Sequence, residues 1–242
     1  AATDKPDRFI LVGDSTMASN TGYGDALCAR IVHWDTCLNL AKGGRSSSSF
    51  RAEGRWDEVE GLLKGGAAYN NTYVLIQFGH NDQPGKPGRS TDLKTEFPVN
   101  MARYVDEVKA LGGVPVLITP VTRRVFKNGV LENTLVPWAD VIRETARNKN
   151  VALLDLNADS YAAVQAMGEA EADTMAMGPK PASAGKAAPA GSAASEPQGT
   201  AKSAFDYSHM GPKGAKYFAA IVEREMKQAI PRFKFVFRAE AP

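Results

Sequence analysis

Five apolar runs constrain this chain more than any other feature. They are Phe9–Val12, Thr36–Leu40, Tyr73–Phe78, Val114–Thr119 and Val151–Leu156. They are rich in Val, Ile and Leu and nearly continuous. A strand with one wet face alternates apolar and polar residues, whereas a strand buried on both faces does not. Between the runs lie amphipathic segments. Val99 to Leu111 carries apolar residues at Val99, Met101, Ala102, Val105, Val108 and Leu111. Val136 to Lys149 carries Ala139, Val141, Ile142 and Ala146. Both approach a helical period. Strand and helix in alternation predict a parallel sheet covered on both faces and joined by right-handed crossovers. The 242 residues are enough for one such domain with a substantial core, which we take to be residues 1–242.

One stretch stands outside this pattern. Residues 178–202 are almost all Gly, Ala, Pro, Ser and Lys. They offer nothing to bury, so a flexible insertion is expected there. The residues beyond it are too few to fold alone and must return to the same body. Gly211-Pro212 reads as a helix start with proline at the first helical position, and the helix is expected to stop at Pro231. Phe233–Phe237 alternates Phe with charge and reads as an edge strand or a packed tail.

The charge balance excludes some partners. A net charge of +2 gives no reason to expect a nucleic-acid partner. No apolar run approaches the roughly 18 residues of a membrane helix, so no membrane partner is expected. The two cysteines, Cys28 and Cys37, are too few and wrongly spaced for a cysteine metal site, and no metal or other cofactor is expected. They either close a short loop as a disulfide or stand as two buried thiols. The chain opens Ala1-Ala2-Thr3 without Met, as after removal of a leader, so a secreted or periplasmic location is expected, and a monomer.

The chemistry turns on Ser15, in "ILVGDSTMAS" at the end of the first apolar run. Serine after a strand is a good helix cap. It is a nucleophile only if the rest of the chain supplies a base, a residue that orients the base, and donors for an oxyanion. The three histidines are His33, His80 and His209. His209 follows Asp206 by three residues on a loop leading into the last helix. That spacing brings a carboxylate to one ring nitrogen and leaves the other free for serine. Gly43-Gly44 follows the second strand and allows close approach of backbone to a ligand. Asn81 follows the third strand and carries an amide NH2. Taken singly, each is a turn or a cap. Together they stand at the ends of three strands and before the last helix, where open α/β sheets place their sites.

In order, Gly13-Asp14-Ser15, Gly44, Gly79-His80-Asn81-Asp82 and Asp206-x-x-His209 resemble the SGNH (GDSL-type) hydrolases. The blocks "GDSTMA", "GGRSSSSF", "QFGHND", "TPVTRR" and "DYSHMGPKGA" look most like the rhamnogalacturonan acetylesterase branch. The resemblance spans about residues 8–230 apart from the insertion. It implies a flavodoxin-like three-layer α/β/α sandwich with a central parallel sheet of about five strands. It implies Ser15 as nucleophile, His209 as base and Asp206 as its orienter. The N–H groups of Ser15 and Gly44 and the Asn81 side chain would form the oxyanion hole, with no cofactor. The sequence departs from the branch at Gly211, where a capping Ser or Asn is expected.

The implied activity is removal of O-acetyl groups from a plant cell-wall polysaccharide, most simply rhamnogalacturonan. Acetylxylan, a thioester or lipid acyl group, and a catalytically dead carbohydrate-binding protein are the competing readings. Asp14, Arg45, His80 and Arg123 are the candidate substrate-binding residues. Arg51, Arg55 and Arg124 also follow strands, and guanidinium forks suit carboxylates. Phe50, Trp56 and Trp138 are either sugar platforms or packing residues.

Overall fold

The computed structural model describes residues 5–182 and 204–239, so all but the first five residues of the insertion read at 178–202 lie outside the described residues. Its elements in chain order are β1 (Arg8–Gly13), α1 (Gly24–Ala29), β2 (Thr36–Asn39), α2 (Ser49–Ala52), α3 (Arg55–Lys64), β3 (Thr72–Gln77), α4 (Phe97–Ala110), β4 (Val114–Ile118), β5 (Phe126–Lys127), β6 (Val130–Leu131), α5 (Val136–Lys149), β7 (Ala152–Leu154), α6 (Leu156–Met167), α7 (Glu169–Asp173) and α8 (Pro212–Ala229). Five strands form one sheet in the order β2-β1-β3-β4-β7. Every pairing is parallel, with Gly13 opposite Gln77 and Leu11 opposite Asn39. Each predicted strand is present, and β1 and β3 are buried along their whole length.

Two apolar layers cover the sheet. On one face Phe9, Leu11, Leu75, Val116 and Ile118 pack with Leu27 of α1 and with Phe218, Val222 and Met226 of α8. On the other, Ile10, Val12, Val74, Ile76 and Leu117 pack with Trp56 and Val59 of α3, Met101 and Val105 of α4 and Ile142 of α5. Successive residues of one strand thus feed opposite cores, which is why these strands read as continuous apolar runs. Phe50 and Trp56 are fully buried and Trp138 nearly so. All three are packing residues.

The last run is the packed tail. Proline opens a 3-10 turn at Pro231–Phe235. Phe233 is buried against Phe9 and Tyr73, and Phe237 makes an isolated antiparallel bridge to Ile31. Cys28 and Cys37 are joined as a disulfide, with Cα atoms 5.4 Å apart, tying the end of α1 to β2. A small antiparallel hairpin, β5–β6, was not anticipated. Its signal is Asn128-Gly129, both at positive φ (52° and 77°), as a two-residue hairpin turn requires. No helix among the described residues is long and apolar enough to cross a membrane.

Candidate active site

The carboxyl ends of β1, β2 and β3 and the loop before α8 meet at one edge of the sheet. β1 stops at Gly13, and the chain turns sharply: Met17 and Ala18 N–H both donate to the Asp14 carbonyl. This turn carries Ser15. It is fixed from below by a buried polar chain. Asp14 Oδ1 accepts the Thr16 N–H (2.9 Å) and hydroxyl (2.7 Å). Gln77 Nε2 donates to the Thr16 hydroxyl at 2.7 Å, and the Tyr23 hydroxyl donates to Gln77 Oε1 at 3.1 Å. Burial alone would raise the Asp14 carboxyl, but His80 and the Thr16 donors outweigh it and hold it below its ordinary range.

The Phe205–Met210 loop faces this turn. The His209 Nε2 stands 2.8 Å from Ser15 Oγ, across 194 residues of chain. The other ring nitrogen, Nδ1, stands 2.8 Å from Asp206 Oδ2. Asp206 Oδ1 also accepts the N–H groups of Ser208 and His209, at 2.9 and 3.0 Å. Burial pushes the Asp206 carboxyl up, yet these three donors outweigh it and keep it well below the usual carboxylate range. An ionised Asp206 fixes Nδ1 as the protonated nitrogen. Nε2 then has a lone pair to accept the Ser15 proton. The arrangement has the geometry of a serine nucleophile with an oriented base.

The loops after β2 and β3 carry the candidate donors. A Cβ on Gly43 would lie 3.7 Å from that of Ser15, so the glycine turn borders the serine side chain. Gly44 holds φ +75°, a conformation that suits glycine. Neither the Ser15 nor the Gly44 N–H has an acceptor among the described residues. One Asn81 amide hydrogen goes to the Arg45 carbonyl at 3.0 Å, which anchors the side chain and leaves the second hydrogen for another acceptor.

The model of the GDSL-like lipase/acylhydrolase family matches residues 11–188, more than half of the sequence. The chain belongs to that family. Among its relatives, it is 28% identical over 229 residues to the probable rhamnogalacturonan acetylesterase YesY of Bacillus subtilis, covering 92% of this chain and 93% of that protein. It is 34% identical over 175 residues to the rhamnogalacturonan acetylesterase RhgT of the same organism, covering 69% and 72%. Among solved structures it resembles YxiM of Bacillus subtilis (TM-score 0.68, 25% identity, 93% of this chain and 57% of that one). The fold is also shared with Axe2, an acetylxylan esterase from Geobacillus stearothermophilus (TM-score 0.60, 15% identity, 98% of each chain). The family match ends before Asp206 and His209, so within this GDSL-like chain those two residues rest on their geometry.

Two substrate-contact expectations are corrected. Asp14 is fully buried beneath the turn and offers a polysaccharide no surface. His80 is buried too: its Nε2 donates to the Val121 carbonyl at 2.9 Å and its Nδ1 faces Asp14 Oδ2 at 3.5 Å. Both support the Ser15 turn. Arg45 is engaged by Glu53 at 2.7 Å and by the Gly43 carbonyl at 2.7 Å, and Arg123 donates to the Ser208 hydroxyl at 2.6 Å. Gly211 lacks a capping side chain for a steric reason: a Cβ there would lie 2.7 Å from the Ala176 carbonyl oxygen.

Two residues, Arg124 and Asp82, act as buttresses, a role that residue type and spacing do not reveal. Arg124 is buried under the His209 loop and donates to the carbonyls of Ser208 (3.5 Å) and His209 (2.5 Å). Burial lowers its guanidinium to about 10. Asp82 accepts the Ser47 N–H and hydroxyl and the Thr91 hydroxyl, tying the β2 and β3 loops together. Burial outweighs these donors and lifts it to about 6.

Proposed function

We propose that this chain is a serine esterase that removes O-acetyl groups from an acetylated plant cell-wall polysaccharide, rhamnogalacturonan first among them. The observation that carries the reading is the Asp206–His209–Ser15 chain, at 2.8 Å on each side of the imidazole. The names of the relatives supply the substrate class. Ser15 Oγ attacks the acetyl carbonyl carbon while His209 Nε2 takes its proton. The N–H groups of Ser15 and Gly44 and the free amide hydrogen of Asn81 hold the oxyanion. The carbonyl re-forms, the bond to the sugar oxygen breaks, and His209 gives that oxygen its proton. Water then attacks the acetyl-Ser15 ester, again through His209, and releases acetate with Ser15 reprotonated. Asp206 stays ionised throughout and stabilises the imidazolium. A location outside the cytoplasm is part of the proposal, supported by the Cys28–Cys37 disulfide.

The test is acetate release from acetylated rhamnogalacturonan, beside acetylated xylan, by the wild type and by Ser15→Ala. Release from the pectic chain that vanishes in the folded mutant is the expected result. Release only from xylan keeps the mechanism and discards the pectic substrate. Release from neither overturns the reading.

A further inference from the structure

The arginines at this edge of the sheet fall into two groups. Arg45 is paired with Glu53, and Arg51 with Glu107, while Arg55 leans on Glu53 at 3.9 Å. Arg123 and Arg124 are committed to the His209 loop. Arg89 differs from all of them. It is half-buried, and its guanidinium makes no hydrogen bond, ion pair or ring contact among the described residues.

Its place is informative. A Cβ on Gly44 would lie 3.7 Å from Arg89 Nη1, and one on Gly43 would lie 3.7 Å from the Ser15 Cβ. The guanidinium therefore lies against the same two-glycine turn that borders the nucleophile. Gly44 has no side chain to separate it from whatever sits over that turn. The loop that carries Arg89 is pinned. Thr91 N–H donates to the Asp82 carbonyl (3.0 Å) and the Ser90 hydroxyl to the Gln83 carbonyl (2.6 Å). The Arg89 N–H itself donates to the Lys86 carbonyl at 3.0 Å. The side chain is thus presented from a fixed base.

A half-buried guanidinium without an anion gives up hydration and gains nothing in return. A carboxylate returns that loss through paired, charge-assisted hydrogen bonds whose geometry the planar fork matches. We infer that Arg89 is a specificity residue that binds a carboxylate of the glycan, on a uronosyl ring beside the acetylated position. The inference rests on the esterase reading and adds the residue that would distinguish acidic from neutral chains. A direct role at the oxyanion is the rival: it would cost activity on every ester, whereas a carboxylate contact costs activity on acidic chains alone.

The experiment compares wild type, Arg89→Gln and Arg89→Lys on three substrates. These are acetylated rhamnogalacturonan oligosaccharides, the same oligosaccharides with their carboxyls reduced to alcohols, and p-nitrophenyl acetate. We expect Arg89→Gln to lose about 10- to 100-fold in kcat/KM on the acidic glycan, carried by KM, as loss of a charge-assisted contact should. Its activity on the reduced glycan and on p-nitrophenyl acetate should equal the wild type's. Reduction of the carboxyls should cost the wild type the same factor, and Arg89→Lys should recover part of it. Equal losses on all three substrates would overturn the inference, because the residue would then serve the reacting centre or the fold. An Arg89→Gln enzyme at wild-type rate on the acidic glycan would also overturn it while leaving the esterase reading intact. A wild type that deacetylates neither glycan would overturn both.

Discussion

Glu225 lies in the C-terminal part of α8, the helix that follows His209, and is only 4% exposed. Neither carboxyl oxygen has a hydrogen-bond partner among the described residues. Burial, reinforced by the charge of Asp159 on α6, pushes its pKa from 4.5 up to about 10. The folded state therefore keeps this proton at neutral pH, and the unfolded state releases it. For a group raised in this way the stabilising contribution is complete below about 4.5. It is lost steadily as pH rises towards 10, at about 1.4 kcal/mol per unit. Between 4.5 and pH 7 that amounts to about 3 kcal/mol, a large fraction of a typical domain's stability. Glu225→Gln keeps the shape and removes the proton. Urea denaturation of both proteins at several pH values between about 5 and 8 isolates the effect, because every other titrating group is shared. The stability difference should shift in favour of Gln by about 1.4 kcal/mol per pH unit. Two parallel curves would refute a neutral buried carboxyl. Asp159→Asn supplies a second arm: removing that charge should lower the Glu225 pKa and end the slope at a lower pH.

Three further outcomes are expected. Asn81→Ala should lose about 10²–10³-fold in kcat on acetylated rhamnogalacturonan with KM nearly unchanged, since an oxyanion donor acts in the transition state; full activity would remove Asn81 from the oxyanion site. Replacing Cys28 and Cys37 with serine should cost about 2.5 kcal/mol in denaturant unfolding, the loop-closure value for a nine-residue separation. Arg124→Gln should lower kcat about 10- to 100-fold with KM held, because the carbonyls of Ser208 and His209 lose the donor that fixes the base. A fall in thermal stability with kcat unchanged would make Arg124 a packing residue alone.

The sheet was legible because burial on both faces leaves a plain mark on a strand. β1 and β3 read as unbroken apolar runs, and each predicted strand is found within two residues of its ends. The fifth overshot: Val151–Leu156 includes Leu156, which starts α6. Both segments are apolar there, and composition does not register where a helix begins. The Phe233–Phe237 alternation suggested a strand because Phe233 is buried and Phe235 is 80% exposed. A 3-10 turn separates neighbours in the same way over so short a span.

At the site, the separation between legible and illegible follows side-chain direction. Ser15, Asp206 and His209 stood out by residue type and order along the chain. Asp14 and His80 did too, but their neighbours in sequence do not reveal that both side chains turn inward beneath the Ser15 turn. Arg89 was invisible for a different reason. Lacking a partner is a property of everything around a residue, so only the assembled edge of the sheet distinguishes it from Arg45 or Arg51. Glu225 is the reverse case. Phe218, Ile221, Val222, Glu225 and Met226 recur at three- and four-residue spacing along α8. The apolar stripe passes through the glutamate, so the helical period alone requires a buried carboxyl there. A carboxyl buried in that stripe, where burial outweighs the nearby Arg224 charge, holds its proton at neutral pH, and the Gln substitution is the direct measure of that requirement.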